Sequence, residues 1–320
     1  MSLRPSAADV GYPPSHVKPL LIVNPASANG STGRNLDAIA HQVRAALGEF
    51  ETLLTRAVGD GAALGRQAVE AGRRLVVAVG GDGTASEVVD GLLSGGYRGE
   101  FGFIPRGSGG DFRRGLGLPS DVPGAARQLM ASARRQVDLG RIEFTGLDGR
   151  PGVRHFCNVA SCGVTAVVAR NVNSGIKALG GPIAFKLASA RALLGWRDQA
   201  IRWRVDGGPW VEDAVTALSV CNGRFFGGGI MVAPGARFDD GLFDVTIWKG
   251  YGVIDFLVQQ PKLYDGRHLQ LAKTRTLQGR SIEVEPVGGG TVLLEVDGEQ
   301  PGMLPARFTV VPKALTVRAA

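Results

Sequence analysis

Through the first 140 residues, short uninterrupted apolar runs take turns with segments whose apolar residues recur at helical spacing. "PLLIVN" closes at Asn24-Pro25, and "GRNLDAIAHQVRAALG" then sets Leu36, Ile39, Ala40, Val43 and Leu47 on one helix face. The alternation continues with "ETLLTRA" as strand, "GDGAALGRQAVEAGRR" as helix, "LVVAVG" as strand, "TASEVVDGLLSG" as helix and "FGFIP" as strand. Strands with no polar alternation suit a parallel sheet covered on both faces. The predicted class is therefore an α/β nucleotide-binding domain, doubly wound and Rossmann-like. In "VPGAARQLMASARR", Asp121 just ahead and Pro123 read as a cap and first turn.

From "QVDLGRIEF" onward the period becomes two, in "IRWRV", "AVTALSVCN", "LFDVTIW", "SIEVEPV", "TVLLEVDGE" and "FTVVPKALTV". Gly, Pro and Asp clusters separate these runs, which predicts a mainly antiparallel β-sandwich-like domain. Helices are expected in "GPIAFKLASARALLGW" and "VIDFLVQQPKLY". The expected organisation is a disordered tail over 1–17, the nucleotide domain over 18–140 and a β-rich substrate domain over 141–307. Residues 308–320 are expected to return to the first domain.

Composition narrows the class. A chain of 320 residues with 44% hydrophobic and 20% charged content folds, and at this length splits into two cores. Cys157, Cys162 and Cys221 form no paired framework and no zinc spacing, which predicts buried thiols in a cytoplasmic protein. No run approaches the roughly 18 apolar residues of a membrane span. The net charge of +7 favours anionic partners such as nucleotide phosphates or an acidic membrane surface. With 7% aromatics and only paired arginines, a nucleic acid partner is not expected. His16, His41, His155 and His268 show no ligand spacing and read as surface or packing residues.

Three glycine-rich loops fall where predicted strands give way to helices: "NPASANGSTG" (24–33), "GGDGT" (80–84) and "PRGSGGDF" (105–112). In a parallel sheet these positions bind ligands, because helix N-termini present free N–H groups and glycine lets phosphate oxygens approach. One such loop is an ordinary tight turn; three at equivalent positions form a phosphate cradle. There is no G-x-x-x-x-G-K-[ST] and no G-x-G-x-x-G after the first strand, so the P-loop and dinucleotide fingerprints fail. Asp82, among these glycines, would repel a bare phosphate but could hold Mg²⁺ directly or through water. Farther on, "FDDGLFDV" reads as a hairpin turn, and "EVDGEQPG" turns through Gly298 to present Asp297 and Glu299.

"GGDGT" with Glu87, "NPASANGSTG", "PRGSGGDF", "DDGLFDV" and "DGE" together, in this order, resemble the catalytic domain of diacylglycerol kinases and sphingosine kinases, most of all the soluble bacterial lipid kinases. The resemblance runs from about residue 18 to the C-terminus. It implies a two-domain, ATP- and Mg²⁺-dependent lipid kinase with the nucleotide in the cleft, acting on a diacylglycerol-like lipid. By motif, the nucleotide would touch Asn24, Pro25, Ala26, Ser27, Ala28, Thr55, Gly80, Gly81, Asp82, Gly83, Thr84, Ser86 and Ser108. The glutamate of the DGE, Glu299, would accept the proton of the lipid hydroxyl, with Asp297 as helper. A structural Mg²⁺ would lie on Asp240 and the carbonyls of Arg237 and Leu242. The chain departs from the family pattern at Ser86 and at Gly110, where an asparagine is usual.

Two alternatives stand beside this reading. An NAD kinase shares GGDGT and the two-domain plan but does not account for "PRGSGGDF" joined to a late DGE. A catalytically silent lipid- or nucleotide-binding protein is suggested by Gly110. The segment "KALGGPIAFKLASARALLGWR" sets Lys177, Lys186, Arg191 and Arg197 around apolar residues. Core packing is the favoured reading for it, with peripheral contact at the inner face of a membrane as the other.

Overall fold

The structure, a computed structural model, describes residues 17–131, 133–173 and 181–319. The expected tail therefore lies outside the described residues but for Val17, and Lys177 lies outside them as well. The first part of the chain runs β1 (Leu20–Val23), α1 (Ser31–Arg34), α2 (Leu36–Leu47), β2 (Glu51–Leu54), α3 (Asp60–Glu70), β3 (Leu75–Gly80), α4 (Asp82–Ser94), β4 (Glu100–Pro105), α5 (Asp111–Leu116) and α6 (Val122–Met130). The four strands pair in parallel in the order β2-β1-β3-β4. β1, β3 and β4 are buried almost throughout, as uniformly apolar strands with helices on both faces must be. One face packs Ile22, Val76, Ala78 and Phe101 against α3 and α4; the other packs Leu21, Val77, Val79 and Ile104 against α2 and α6. At α6, Asp121 accepts from the Gly124 amide at 2.7 Å, with a proline in the first turn, as its sequence implied.

Helices α3 and α4 cross backbone against backbone. A Cβ at Gly91 would lie 2.1 Å from the Ala62 carbonyl oxygen, and one at Gly65 would lie 2.6 Å from that of Val88. Gly91→Ala is therefore expected to cost about 3 kcal/mol, because the helices must part. A fall in Tm of about 4 °C in calorimetry would register it.

The second part runs β5 (Arg135–Gly146), β6 (Pro151–Phe156), β7 (Val159–Gly163), α7 (Val164–Asn173), α8 (Gly181–Leu193), β8 (Gln199–Val205), β9 (Val211–Val215) and β10 (Ala217–Cys221). After these come β11 (Phe243–Trp248), α9 (Val253–Asp265), β12 (Thr274–Gly279), β13 (Ser281–Pro286), β14 (Leu294–Val296) and β15 (Gly302–Val317). The long β15 joins the two parts. It pairs antiparallel with β5 and β13, and its last residues, Thr316 and Val317, pair in parallel with Glu100 and Phe101 of β4. A second, antiparallel sheet has the order β12-β11-β10-β7-β14. The run "AVTALSVCN", expected as one strand, breaks at Thr216: β9 belongs to the first sheet and β10 to the second.

Alternation along the second sheet sorts its side chains. Ala160, Cys162, Leu218, Val220, Phe243, Val245, Leu294 and Val296 point between the two sheets. Val159, Ala217, Cys221 and Trp248 point the other way, toward a layer made by α7, α8 and α9. All three cysteines are buried as free thiols. No helix among the described residues is long and apolar enough to cross a membrane.

Candidate active site

The carboxyl ends of β1, β2, β3 and β4 open on a cavity of about 1140 Å³ that continues past β14 into the α7–α9 layer. Its polar half is lined by Asn24, Pro25, Ala26, Ser27, Ala28, Thr55, Gly81, Asp82, Gly83, Thr84 and Ser108, all in the set expected to touch nucleotide. Asn24 ties two of the loops: its Nδ2 donates to Thr84 Oγ1 at 3.1 Å and its Oδ1 accepts from the Ala26 amide at 3.0 Å. Ala28, Asn29 and Gly30 all take positive φ (51°, 53° and 77°), which curls the first loop tightly before α1. Loops two and three touch directly, since a Cβ at Gly107 would lie 2.6 Å from the Gly81 Cα. Arg106 adds a third tie, donating from Nη2 to Ser31 Oγ at 2.8 Å.

Gly80 and Ser86 stand behind this lining. Gly80 ends β3, where a Cβ would meet the Thr84 side chain at 2.5 Å, and Ser86 turns away to donate to Asp297 at 2.7 Å. Asp82 faces the cavity and also accepts from the amides of Asp111 and Phe112 at 3.1 and 3.2 Å, so it caps α5 from the first turn of α4. Gly110, the departure noted in the sequence, has φ 70° and ψ 28°. That left-handed conformation is one that glycine and asparagine share, so the backbone explains the exchange.

Asp111 also lines the cavity; Arg114 donates to its Oδ1 at 2.7 Å and the Gly228 amide to its Oδ2 at 2.8 Å. Burial, and after it the charge of Asp82, pushes its carboxyl up to about 6 from an ordinary 3.8. Between about pH 4 and pH 6 the folded chain therefore binds a proton that the unfolded chain has released. Stability from this group is greatest below that window and declines as pH rises through it, by about 3 kcal/mol in all. Relative to wild type, Asp111→Asn is expected to gain about that much between pH 4 and pH 7, as urea unfolding with a chelator present would measure.

The DGE turn closes the far side. Asp297 and Gly298 have φ 47° and 89°, and Val296 and Glu299 exchange backbone hydrogen bonds, the pattern of a two-residue type I′ hairpin. The sequence alternative of an ordinary hairpin turn is therefore correct as geometry, but the acids are not merely solvated. Asp297 Oδ1 accepts from the amides of Asn158 and Val159, and Oδ2 from the Cys157 amide and Ser86 Oγ, at 2.7 to 3.1 Å. Burial pushes this carboxyl up, while the three amides and the hydroxyl pull it down. Glu299 lines the cavity and binds Arg154 Nη1 through Oε2 at 2.6 Å. By the alternation of β14, Glu295 points to the cavity side, where Oε2 accepts from Ser161 Oγ and Oε1 from the Gly298 amide, each at 2.5 Å. Burial pushes its carboxyl up to about 7.

Beyond this turn the cavity is apolar. Val164, Val168, Ala169 and Val172 of α7, Phe185 and Leu193 of α8, and Phe256 and Leu263 of α9 face Phe226, Ile230 and Trp248. Arg237, Asp240 and Leu242 do not line the cavity; they stand on the turn before β11, where the exposed Asp240 accepts from the Leu242 amide at 3.1 Å. Asp244 nearby is raised by burial and then by the Asp240 charge, so a cation would relieve two like charges. Among the described residues no three His, Cys, Asp or Glu are grouped to hold a metal ion. A divalent cation in the cavity would accordingly rest on one or two carboxylates with phosphate oxygens and water, which is how Mg²⁺ is commonly held. Sequence reasoning missed Arg56, Asn158 and Glu295 as lining residues.

Glycine turns at the ends of parallel strands face an acidic turn of a β-sandwich across one cleft, and comparison with known proteins places this arrangement among the kinases. Residues 18–142 match the diacylglycerol kinase catalytic domain, and residues 158–319 match the YegS C-terminal NAD kinase beta sandwich-like domain. The chain is 30% identical over 251 residues to a diacylglycerol kinase of Mycobacterium tuberculosis (strain H37Rv), covering 78% of each. It is 27% identical to that of Bacillus subtilis (strain 168), covering 90% of this chain and 91% of the relative. A crystal structure of a putative diacylglycerol kinase from Bacillus anthracis str. Sterne superposes with a TM-score of 0.77 at 26% identity, covering 95% of both chains. The chain belongs to the diacylglycerol kinase family.

Proposed function

We propose that this protein is an ATP- and Mg²⁺-dependent lipid kinase that phosphorylates a hydroxyl of a diacylglycerol-like lipid. The observation that carries the reading is the two-character cavity, with a glycine-loop half, an apolar half and Glu299 between them. The nucleotide phosphates rest on the glycine turns and on the first-turn amides of α4, which have no acceptor within the helix. The acyl chains occupy the chamber under α7, α8 and α9, leaving the hydroxyl at the DGE turn. The hydroxyl oxygen attacks the γ-phosphorus, the bond to the β–γ bridging oxygen breaks with its electrons leaving on ADP, and the proton passes to Glu299. Bound Mg²⁺ would neutralise phosphate charge, with Asp82 and Asp111 as the carboxylates on that side. A second Mg²⁺ is proposed at Asp240 with the carbonyls of Arg237 and Leu242.

A dinucleotide acceptor would leave the apolar half without a partner, which sets the NAD kinase-like reading second. The silent-protein alternative stands third: the Gly110 backbone suits the turn, although glycine brings no side-chain amide there. Purified protein with labelled ATP and Mg²⁺ is expected to label diacylglycerol. Label on NAD and on no lipid would overturn the reading.

A further inference from the structure

The face of the second sheet that backs the chamber is apolar at Val159, Ala217, Cys221 and Trp248, but one row across it is polar. Thr246 of β11, Ser219 of β10, Ser161 of β7 and Glu295 of β14 pair in register from strand to strand, and all four are buried. Thr246 is satisfied locally, since its hydroxyl donates to the Val232 carbonyl at 2.9 Å. The other end of the row differs, because Glu295 reaches the cavity wall. Ser161 also meets α7: its Oγ lies 2.8 Å from Thr165 Oγ1 and 2.5 Å from Glu295 Oε2. Thr165 lines the cavity among the apolar Val164, Val168 and Ala169. Next to it in α7, the Ala166 carbonyl oxygen lies 3.5 Å from Nε2 of Gln300, the residue after Glu299. The three linked groups therefore end in a hydroxyl beside the DGE turn, where the two halves of the cavity meet.

Ser161 has one proton and two neighbours, so the state of Glu295 sets the direction of the whole chain. Glu295 Oε1 is taken by the Gly298 amide, which leaves Oε2 to face Ser161. When Oε2 carries a proton it donates to Ser161, Ser161 donates to Thr165, and the Thr165 proton is left for a ligand. When Glu295 is ionised both hydroxyls turn toward it, and Thr165 shows a ligand only lone pairs. The partners of this carboxyl are a hydroxyl and an amide rather than a cation, and its burial favours the neutral form.

We infer that Thr165, directed by Ser161 and Glu295, donates a hydrogen bond to an acyl-ester carbonyl of the acceptor lipid, so that the site selects diacylglycerols over glycerolipids whose chains are joined by ethers. The inference rests on the lipid-kinase reading for what fills the chamber. An ester carbonyl accepts and cannot donate, and a diacylglycerol carries one a few bonds from its free hydroxyl. Thr165 would touch the lipid, whereas Ser161 and Glu295 are positioning residues that act through it. The charged groups nearest Glu295 in the chain are Asp297, held by its four donors, and Glu299, paired with Arg154. The elements packed on β14 bring the exposed Arg170 of α7, the exposed Arg307 and Lys313 of β15, and Cys162 of β7, which points between the sheets.

The test is calorimetric titration of dioctanoylglycerol and of its dioctyl ether, each below its critical micelle concentration, into wild type, Thr165→Val, Thr165→Ser and Glu295→Gln. Wild type is expected to bind the ester roughly tenfold more tightly at about pH 6 and to lose most of that ratio by about pH 8.5, as Glu295 ionises. Thr165→Val, of nearly the same shape, should bring the ratio to about one at both pH values, and Thr165→Ser should keep the wild-type ratio. In Glu295→Gln the oxygen can keep the Gly298 amide while the NH₂ donates to Ser161, so the ratio should stay roughly tenfold at both pH values. A merely structural role for these residues would move both affinities together and leave the ratio alone. A tenfold ratio in folded Thr165→Val overturns the contact, and so does a wild type that binds neither lipid or binds both equally at about pH 6. A Glu295→Gln ratio that falls with pH as in wild type overturns the part given to Glu295. Phosphorylation of ester and ether with equal kcat/KM keeps the kinase and sinks the ester contact. The expected ratios with no phosphorylation of dioctanoylglycerol by wild type, ATP and Mg²⁺ uphold the contact and sink the lipid-kinase reading.

Discussion

Asp297→Asn is expected to cost about 4 kcal/mol of stability and to lower turnover about a hundredfold, although the two side chains have nearly the same shape. The carboxylate takes four donors on two oxygens: the amides of Cys157, Asn158 and Val159, and the hydroxyl of Ser86. An asparagine offers one oxygen and one NH₂: its oxygen can keep the Asn158 and Val159 amides and its NH₂ can donate to a turned Ser86 hydroxyl, but the Cys157 amide then loses its acceptor and faces a donor, and all four bonds lose the carboxylate charge. Those four groups come from both sides of the cleft, since Ser86 belongs to α4 and the amides lead into β7. The carboxylate is therefore the pin between the glycine loops and the DGE turn. Losing it should move Glu299 relative to the phosphate seat, and a displacement of about 1 Å is enough for the kinetic loss. Ser86→Ala removes one bond and leaves the amides satisfied, so it should cost about 1.5 kcal/mol. Calorimetry checks both: a fall in Tm of about 6 °C is expected for Asp297→Asn, with Ser86→Ala well short of it. Equal melting temperatures for Asp297→Asn and wild type would mean that the carboxylate does not hold the cleft.

The sequence made the parallel half legible because burial on both faces leaves an unmistakable mark: "LVVAVG" and "FGFIP" could not be surface strands, and β3 and β4 are buried almost throughout. It was less informative about α7, whose "VTAVVARNVN" is rich in β-branched residues that favour strands; packing on the chamber wall makes it helical. The break at Thr216 was also hidden, since a strand that changes sheets keeps its alternation. Of the expected nucleotide set, what could not be read was depth. Gly80 and Ser86 are in the motif but behind the lining, because motif order does not say which side chain faces inward. Glu295 was missed for a related reason: on paper it is one more polar position in an alternating strand. Only the pairing of β14 with β7, which sets it opposite Ser161, turns it into a buried carboxyl at the cavity wall.

Glu299→Gln is expected to lower kcat by about 10² to 10⁴ while leaving nucleotide affinity unchanged, which single-turnover kinetics and calorimetric titration with a nonhydrolysable ATP analogue would separate. The amide can still accept from Arg154 through its oxygen, so the turn keeps its shape; what it cannot do is take a proton. Arg154 tests the complementary point. Its Nη1 holds Glu299 Oε2 at 2.6 Å, so the guanidinium restrains the carboxylate through one oxygen. Arg154→Gln should let that carboxylate swing, lowering kcat about tenfold with KM for the lipid little changed, because orientation matters at the transfer step more than in binding. Wild-type turnover by Glu299→Gln would exclude it as the base. Glu295 would then be the carboxyl to examine next: it lines the same cavity, and a pKa near 7 keeps a fraction of it ready to accept a proton at neutral pH. Its two bonds, to Ser161 and the Gly298 amide, argue against that, since a group engaged on both oxygens must break one of them before it can reach a substrate.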